Sequence, residues 1–513
     1  MSPPSSPRTA DAGAGGVRVA VVGSGPAGAY AAAQLLAIRE PAVEVHVFDR
    51  LATPWGLVRA GVAPDHPKIK SVTRVFERTA QLPGFHFLGN VRVGVDVSHD
   101  ELLGHYHAVL YATGAPGDRR LGIPGEELAG SHPATGFVSW YNGHPDAADT
   151  RFDLSVRRAV VVGNGNVALD VARMLALTPD ELARTDIADH ALEALAASQV
   201  EEIVVLGRRG PADAAFTTPE LRELGRLADC DVVVDPADLA DGAVGGTGAG
   251  LAPRVADNFD VLAGYAAHEP AGHRRRIVLR FRASPLELTG NGRVQGVRVG
   301  RNELVGTPGG PSVAVPTGRV ESIDAGLVLR SIGYVGRPVP GLPFDGGTTR
   351  IGNDRGRVLD PVSGDPLRGV YTAGWIKRGP SGVIGTNKKC AQETVSLLVE
   401  DLAAGRLAGR SPSPAENLLG ELARRGVDVV PYAGWAAIDA HEQALGRPLS
   451  RPRVKVVRHE QLLSLAGSGT GTTSVNSASS SALDQLTSAH HMHKNGSGKP
   501  ASMAPARTTT PKT

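Results

Sequence analysis

The chain has 513 residues, of which 41% are hydrophobic and 21% charged; these values are typical of a globular protein and exclude a wholly disordered or fibrous chain. The 54 Lys and Arg residues nearly balance 52 Asp and Glu residues, so the net charge of +2 does not favour nucleic acid as a partner. Its two cysteines, Cys230 and Cys390, are too few for a cysteine-ligated iron–sulfur cluster and too far apart for a redox C-x-x-C motif.

Both ends of the chain are predicted to be disordered. Residues 1–16 and 466–513 are rich in small and polar residues, so they cannot bury enough apolar surface to offset their ordering entropy. The C-terminal tail contains three histidines without a surrounding carboxylate or thiolate framework, so we predict no metal site at His490, His491 and His493. No apolar stretch is long enough to span a membrane and no signal segment is apparent, so we expect a cytoplasmic protein without membrane insertion.

The first globular segment alternates short β-branched runs with Ala-rich stretches. This pattern predicts a strand, a helix and a second strand at residues 18–23, 27–38 and 43–49. The turn after the first strand has the G-x-G-x-x-G pattern at Gly23, Gly25 and Gly28. Such a turn brings backbone N–H groups and the positive end of a helix to a pyrophosphate. Asp49 ends the second strand, where an acidic side chain accepts hydrogen bonds from a ribose diol.

The same order recurs later, with a strand, a helix and a strand predicted at residues 157–163, 167–177 and 201–209. The turn after its first strand has the G-x-G-x-x-A pattern at Gly163, Gly165 and Ala168. Here Arg208 and Arg209 end the second strand, and their forked donors suit a 2′-phosphate, so this unit should prefer NADP. A helical insertion at residues 178–198 accounts for the long spacing between the glycine turn and the arginines.

Together, the two units predict an α/β flavoprotein with two Rossmann-like dinucleotide-binding domains. The acidic first unit suits bound FAD and the basic second unit suits exchanging NADP(H). Tyr111–Ala115 reads YATGA, a strand ending in a glycine turn where chains of this architecture cross between domains.

Five long blocks of the sequence resemble one known family. They lie at residues 54–70, 163–175, 207–224, 331–345 and 373–394. These blocks look like the adrenodoxin reductase type of ferredoxin–NADP reductase, including its mycobacterial-like bacterial branch, and the resemblance covers about residues 17–465. It implies two interleaved domains, with a discontinuous FAD-binding domain at 17–118 and 360–465 and an inserted NADP-binding domain at 119–359. It also implies that NADPH reduces FAD by hydride transfer and that FAD passes single electrons to an acidic iron–sulfur ferredoxin.

The resemblance implies specific cofactor contacts. For FAD they are Gly23, Gly25, Ala27, Gly28, Asp49, Leu57, Val93, Trp375, Gly382, Val383 and Ile384. For NADP they are Arg119, Asn164, Gly165, Asn166, Val167, Arg208, Arg209, Glu220 and Gly382. A glycine-bracketed loop before a helix predicted to begin at Asn387 would also direct backbone N–H groups at the flavin.

His66 and Glu223 are the candidate catalytic pair near the flavin, and Asp170 is expected to support them. Hydride transfer needs no protein proton donor, so the pair could either tune the flavin and place the nicotinamide or serve only as a structural hydrogen bond. An acidic ferredoxin would need a local basic patch, for which the candidates are Arg222, Arg226, Arg274, Arg275 and Arg276. The sequence does not indicate the oligomeric state.

Two other functions remain open from the sequence. One is an NADPH-oxidising subunit similar to the small subunit of glutamate synthase, although that relative carries cysteine-ligated clusters that this chain lacks. The other is a redox-responsive nucleotide-binding protein whose cofactors control its association with a partner.

Overall fold

The computed structural model of the protein describes residues 16–243, 252–306, 312–408 and 412–468. The predicted N-terminal arm before Gly16, most of the predicted tail and the three tail histidines lie outside the described residues. In the part of the chain that the structure describes, no helix has the length and hydropathy of a membrane-spanning segment.

The strands are numbered in chain order. They are β1 (Val17–Val22), β2 (Val43–Phe48), β3 (Phe85–Leu88), β4 (Ala108–Tyr111), β5 (Gly117–Asp118), β6 (Ser131–Pro133), β7 (Arg158–Val162), β8 (Glu202–Leu206), β9 (Cys230–Val234), β10 (Arg275–Arg280), β11 (Ala283–Thr289), β12 (Gly296–Val305), β13 (Val313–Asp324), β14 (Leu327–Arg330), β15 (Tyr334–Val335), β16 (Asn353–Asp354), β17 (Arg357–Leu359) and β18 (Pro366–Thr372).

The α-helices are α1 (Pro26–Leu35), α2 (Leu57–Ala60), α3 (Pro67–Lys70), α4 (Thr73–Ala80), α5 (His99–His105), α6 (Ala134–Tyr141), α7 (Asn166–Ala176), α8 (Pro179–Leu182), α9 (Asp189–Ala196), α10 (Thr218–Leu224), α11 (Pro236–Ala243), α12 (Pro253–Ala267), α13 (Trp375–Arg378), α14 (Ile384–Ala403), α15 (Ala415–Arg424), α16 (Tyr432–Gly446) and α17 (His459–Ser468). Short 3₁₀ turns lie at Pro145–Ala147, Pro211–Asp213 and Arg447–Leu449.

The first sheet has seven strands in the order β16-β17-β18-β4-β1-β2-β3. Strands β18, β4, β1, β2 and β3 are parallel, whereas β17 and β16 add an antiparallel edge. Because β1 has β2 on one side and β4 on the other, the strand order reverses at β1. Open α/β sheets bind their ligands at the carboxyl ends of the strands beside such a reversal. Gly23 follows β1 at that point.

The second sheet has six parallel strands in the order β6-β14-β7-β8-β10-β9. Strand β7 lies between β14 and β8, so Gly163, which follows β7, occupies the position that Gly23 occupies in the first sheet. The predicted α/β fold with two Rossmann-like units is therefore confirmed. The structure adds a three-stranded antiparallel sheet, β11-β12-β13, which the sequence analysis did not anticipate.

The chain crosses between the two parallel sheets twice, once on leaving the first sheet after β4 and once on returning to it after β14. The two crossings form a ribbon, because β5 pairs antiparallel with β15 through Gly117 and Val335. This pairing explains how the strands of the first sheet come from both ends of the chain.

Each parallel sheet is buried on both faces, as parallel sheets require. Alternate residues of one strand serve the two faces: in β1, Val19 and Val21 pack towards α1 and α14, whereas Ala20 and Val22 pack towards α5 and α15. The second sheet is arranged in the same way, with its larger cluster built around α6, α7 and α9.

Several predicted element boundaries are wrong by a few residues. Helix α1 ends at Leu35 rather than Ile38, and β8 ends at Leu206, so Arg208 and Arg209 lie in the turn after the strand. Helix α14 begins at Ile384 rather than Asn387. Helix α17 continues to Ser468, past the predicted start of the tail, because Ala466 is buried against α16.

Candidate functional site

The first glycine turn uses its three glycines in different ways. Gly23 has a φ of +104°, and a Cβ there would lie 2.5 Å from the carbonyl oxygen of Ala112. A Cβ on Gly28 would lie 1.9 Å from the carbonyl oxygen of Gly23, so both residues are needed for the turn itself. Gly25 has an ordinary φ of −65°. The atom nearest to a Cβ added at Gly25 would be the Cα of Gly56, at 4.0 Å. The space beside Gly25 therefore allows a ligand to approach the backbone.

Asp49 is positioned by this turn. Its Oδ2 accepts hydrogen bonds from the backbone N–H of Ser24, at 3.0 Å, and from the Ser24 hydroxyl. Its Oδ1 accepts one from the N–H of Leu51 at 3.0 Å. Close by, the buried hydroxyl of Thr113 lacks a hydrogen-bond partner among the described residues, as expected of a group whose partner is a ligand. This donor and acceptor set fits the adenosine and pyrophosphate half of FAD.

The other predicted FAD contacts surround the same turn. Ala27 is buried in the first turn of α1, and Leu57 begins α2 directly beyond Gly56, which faces Gly25. Val93 forms a bridge with Val97 and is half-buried against the α5 side of the sheet. The structure therefore brings Ala27 and Leu57 close to the glycine turn and leaves Val93 further along, after β3.

The loop between α13 and α14 contains the last group of predicted FAD contacts. Trp375 donates its indole N–H to the carbonyl of Ser381 at 3.2 Å and lies against Tyr334, with ring centroids 5.2 Å apart. Gly382 has a φ of +78°, in the region that favours glycine. Val383 is 61% exposed at the amino end of α14, a helix of 20 residues. The positive end of this helix is thus accessible at Val383 and Ile384.

The second glycine turn repeats the first. Gly163 has a φ of +129°, and a Cβ added there would lie 2.1 Å from the carbonyl oxygen of Ser331. A Cβ added at Gly165 would meet only Ala215, at 3.9 Å. Gly165 therefore leaves space beside the backbone, as Gly25 does. Val167 packs into the core beneath the turn.

Asn164 and Asn166 hold the segment that leads into α10. The Asn164 carbonyl accepts from the N–H of Ala215 at 3.0 Å, and Asn166 Oδ1 accepts from the N–H of Thr217 at 2.8 Å. Thr217 donates in turn to the Glu220 carboxylate, whose pKa is raised mainly by burial. Glu220 is thus tied to the second glycine turn through these contacts.

The two arginines after β8 are not equivalent. Arg208 has an exposed side chain, whereas Nη1 of Arg209 lies 3.2 Å from Oδ1 of Asp213. Arg119, the third predicted NADP cation, is exposed beside β5 and donates its backbone N–H to Gly333 at 3.1 Å. Of the two arginines after β8, Arg208 is therefore the one more available to an incoming phosphate.

His66 and Glu223 are in contact. Nε2 of His66 lies 2.7 Å from Oε2 of Glu223 and 2.9 Å from Nη2 of Arg173. A protonated Nε2 donates to Glu223, whereas an unprotonated Nε2 accepts from Arg173. The imidazole can therefore hold or release a proton at this nitrogen and retain a hydrogen-bond partner in either state.

Arg173 anchors this cluster, and the sequence analysis did not single it out. The guanidinium is buried and donates to Asp65, at 2.6 Å and 3.1 Å, and to Asp170 at 2.9 Å. Burial raises the pKa of Asp170, whereas burial of Asp65 is outweighed by the hydrogen bond and charge of Arg173, which lower its pKa. Arg173 could have been recognised from the sequence, because it follows Asp170 by three residues on an otherwise apolar helix.

Of the three docking candidates at the start of β10, burial contradicts Arg275, whereas the exposed Arg274 and Arg276 remain untested. Arg275 is buried and donates to the carbonyl of Leu177 at 2.7 Å. Arg274 donates to the Ser198 carbonyl and Arg276 pairs with Glu202. These residues lie at the amino end of β10, opposite the end of the sheet that carries the second glycine turn. Arg222 and Arg226, in contrast, are exposed at α10 beside Glu223.

Comparisons with known proteins identify the family of this chain. Residues 17–204 match the family described as pyridine nucleotide-disulphide oxidoreductase. The chain is 50% identical over 453 residues to NADPH-ferredoxin reductase FprA of Mycobacterium tuberculosis, covering 87% of this chain and 98% of that protein. The chain belongs to the ferredoxin–NADP reductase family. The resemblance seen in the sequence is thus confirmed.

One further relative and one solved structure support the assignment. The mitochondrial NADPH:adrenodoxin oxidoreductase of Arabidopsis thaliana is 42% identical over 466 residues, covering 88% of this chain and 95% of that protein. The structure of Mycobacterium tuberculosis FprA in complex with NADPH is 50% identical, covers 88% of this chain and 100% of that chain, and has a TM-score of 0.84.

Proposed function

We propose that this protein is an NADPH-dependent ferredoxin reductase that holds FAD at the first glycine turn and binds NADP(H) at the second. The observation that carries the proposal is the pair of glycines, Gly25 and Gly165, each at the carboxyl end of a separate parallel sheet and each with space for a ligand beside it. The names of the relatives support the reaction and a ferredoxin partner.

The proposed FAD contacts are those that the resemblance implies, and the position of most of them around the first glycine turn supports them. Asp49 would accept the ribose hydroxyls, the Gly23–Gly28 turn would bind the pyrophosphate, and Trp375 with the amino end of α14 would adjoin the flavin. Leu57, Ala27 and Val93 would supply apolar contacts. The other proposed FAD contacts are Gly382, Val383 and Ile384.

NADP would lie along the second turn. Arg208, with Arg209, would pair with the 2′-phosphate, and the backbone from Asn164 to Val167 would bind the pyrophosphate. Arg119, Glu220 and Gly382 would contact the rest of the cofactor. The domain limits proposed are 17–118 with 360–465 for FAD and 119–359 for NADP.

The chain's own residues provide positioning and electrostatics. When bound, FAD accepts a hydride from NADPH and releases electrons one at a time, which a one-electron partner requires. Glu223 and Arg173 hold the His66 ring in place, and the positive end of α14 stabilises negative charge near Val383. The exposed Arg222 and Arg226 would attract an acidic iron–sulfur ferredoxin, in a reaction that we place in the cytoplasm.

Anaerobic stopped-flow absorbance tests the proposal. The purified holoprotein would be mixed with NADPH or NADH while the visible flavin band is followed, and ferredoxin would then be added. Fast bleaching by NADPH, slower bleaching by NADH and recovery on adding ferredoxin are expected. Bleaching without recovery would contradict the ferredoxin assignment, and a protein without flavin absorbance would contradict the FAD assignment.

A further inference from the structure

A second group of ionisable residues lies on the first sheet, away from the glycine turn. His46 on β2 and His86 on β3 are direct partners in the parallel register of these strands. Glu44 precedes His46 by two residues, so all three side chains are on the same face of the sheet. Strand β3 is the edge strand, which leaves His86 exposed while His46 is buried.

The three side chains converge. Oε1 of Glu44 lies 3.2 Å from Nε2 of His46 and 3.0 Å from Nε2 of His86. All three atoms lie within 4.8 Å of one another. The two nitrogen–oxygen distances are close to the separation of roughly 3.4 Å between the ligands of a tetrahedral ion with bonds of about 2.0–2.1 Å.

Neighbouring groups orient these atoms. The hydroxyl of Tyr106, which is fully buried, lies 2.9 Å from Nδ1 of His46. A hydroxyl both donates and accepts, so Tyr106 can accept from a protonated Nδ1 and thereby leave the lone pair of Nε2 free. Nε of Arg18 holds Glu44 Oε2 at 3.2 Å, which directs Oε1 towards the two imidazoles.

The other charged groups near the cluster are Arg18 and Glu416, whose charges are opposite in sign.

We propose that Glu44, His46 and His86 bind a divalent transition-metal ion of the zinc type through three protein ligands, with a fourth position open to solvent. Two imidazoles and a carboxylate are ligands that zinc accepts, and the Tyr106 contact supplies the supporting hydrogen bond typical of such histidines. The sequence analysis predicted no metal site, because these ligands come together only through strand pairing.

The site is separate from the proposed redox centre. Glu44 and His46 lie towards the amino end of β2, whereas Asp49 follows its carboxyl end. A bound ion would join the edge strand β3 to β2 and stabilise the folded state by mass action. Its effect is therefore expected on stability rather than on electron transfer.

The experiment is calorimetric titration of the full-length holoprotein with Zn²⁺ alone in a non-chelating buffer near neutral pH. To exclude any loose Zn²⁺ binding by the tail histidines, the parent protein for the test carries His490→Ala, His491→Ala and His493→Ala. We expect this parent to bind one equivalent of Zn²⁺ and its melting temperature to rise with Zn²⁺. Mg²⁺ should not compete with Zn²⁺ for this site, because Mg²⁺ prefers oxygen ligands and two of the three proposed ligands are imidazole nitrogens.

Three added substitutions distinguish the site from other binding. His86→Ala and Glu44→Gln should each weaken Zn²⁺ binding by roughly tenfold to a hundredfold or more. His268→Ala, at an exposed histidine near the end of α12, should leave binding unchanged. NADPH-dependent ferredoxin reduction should be the same in His86→Ala as in its parent, so the outcome is independent of the proposed function.

Two results would overturn the proposal. One is a parent protein that shows no saturable Zn²⁺ binding. The other is a His86→Ala variant that binds Zn²⁺ as tightly as its parent does, since exposed His86 is the ligand whose loss should least disturb the fold.

Discussion

Arg173 shows how one buried side chain positions the candidate catalytic pair. Its guanidinium donates to Asp65 and Asp170 and faces His66, so its forked donors hold three partners at fixed angles. A buried cation must be paired, and the two aspartates serve that purpose. The position of His66 against Glu223 is consequently set by charges on α7 rather than by the short helix α3 that follows it.

Arg208 provides a residue-scale test of NADP recognition. Because its side chain is exposed whereas Arg209 is paired with Asp213, Arg208→Ala should lower the ratio of NADPH to NADH efficiency by roughly tenfold to a hundredfold, the equivalent of about 1.5–3 kcal/mol for a charged hydrogen bond. Steady-state kcat/KM for each nucleotide measures this. Arg424→Ala, an exposed arginine on α15, is the matched control. An unchanged ratio in Arg208→Ala would remove this residue from the 2′-phosphate site.

Asp186 should contribute stability that depends on pH. Burial disfavours its charged form, but the ammonium groups of Lys455 and Lys70 outweigh burial and lower its pKa to about 2 from 3.8. A pKa lowered by folding stabilises the protein above pH 3.8, and this contribution is lost as pH falls towards 2. The loss amounts to about 2 kcal/mol.

Urea denaturation at about pH 5 and about pH 3 checks this prediction for Asp186. Asp186→Asn should lose less unfolding free energy between the two conditions than the parent protein does. Asp428→Asn, at an exposed position, should behave as the parent does. Equal losses in the parent and in Asp186→Asn would contradict the proposed role of the carboxylate.

At the scale of elements, each strand–turn–helix unit contains two kinds of glycine. The turn itself requires one kind and does not require the other. Gly23 and Gly163 have positive φ values and face a carbonyl at close range, so folding requires them to be glycine. Gly25 and Gly165 have ordinary φ values of −65° and −101° and open space at the Cβ position. Neither the backbone conformation nor the packing requires glycine at these two positions, which supports the proposed approach of a ligand there.

Gly25→Ala and Gly165→Ala test this distinction and control for each other. Neither should lower the stability of the apoprotein, since a compatible Gly→Ala change stabilises by about 0.4–1 kcal/mol. Gly25→Ala should reduce the FAD content of the purified protein, and Gly165→Ala should raise the KM for NADPH with normal FAD content. Flavin absorbance, thermal melting and kinetics measure the three effects. Normal FAD affinity in Gly25→Ala would refute the proposed pyrophosphate contact.

At the scale of the whole molecule, the segment after α16 ties distant parts of the chain together. Arg451 donates to the carbonyls of Thr185 and Ile187 and to Asp189, which lie between α8 and α9 near the second sheet. Glu442 on α16 pairs with Arg59 near the first glycine turn, at 2.6 Å. These contacts join the C-terminal segment to the helical insertion after α7 and to α2 beside the first glycine turn.

Arg451→Ala should therefore lower the free energy of unfolding by about 3 kcal/mol, because the buried carbonyls of Thr185 and Ile187 lose their donor. Arg458→Ala is the control, since its pair with Asp149 is exposed and should contribute less than about 1 kcal/mol. Chemical denaturation of the holoprotein compares the two. Similar small effects in both variants would show that the Arg451 contacts do not stabilise the fold.

The sequence was informative where a function is carried by residues close together along the chain. The spacing of Gly23, Gly25 and Gly28, and its repetition at Gly163 and Gly165, predicted both parallel sheets and their ligand-binding ends, because a strand, a turn and a helix are local structures. Boundaries were less certain, as at Leu35 and Ile384, because the ends of helices depend on neighbouring packing.

Tertiary structure decided what distant residues do. Glu223 contacts His66 although the two residues are 157 positions apart in the sequence. Arg275 is buried, whereas its sequence neighbours Arg274 and Arg276 are exposed. His46 and His86 are brought together by the register of β2 and β3. No local pattern encodes such contacts, because strand pairing and burial are set by the packing of the whole chain. By itself, the sequence thus determined the family, the fold and the two glycine turns, and only the folded chain determined which charges meet.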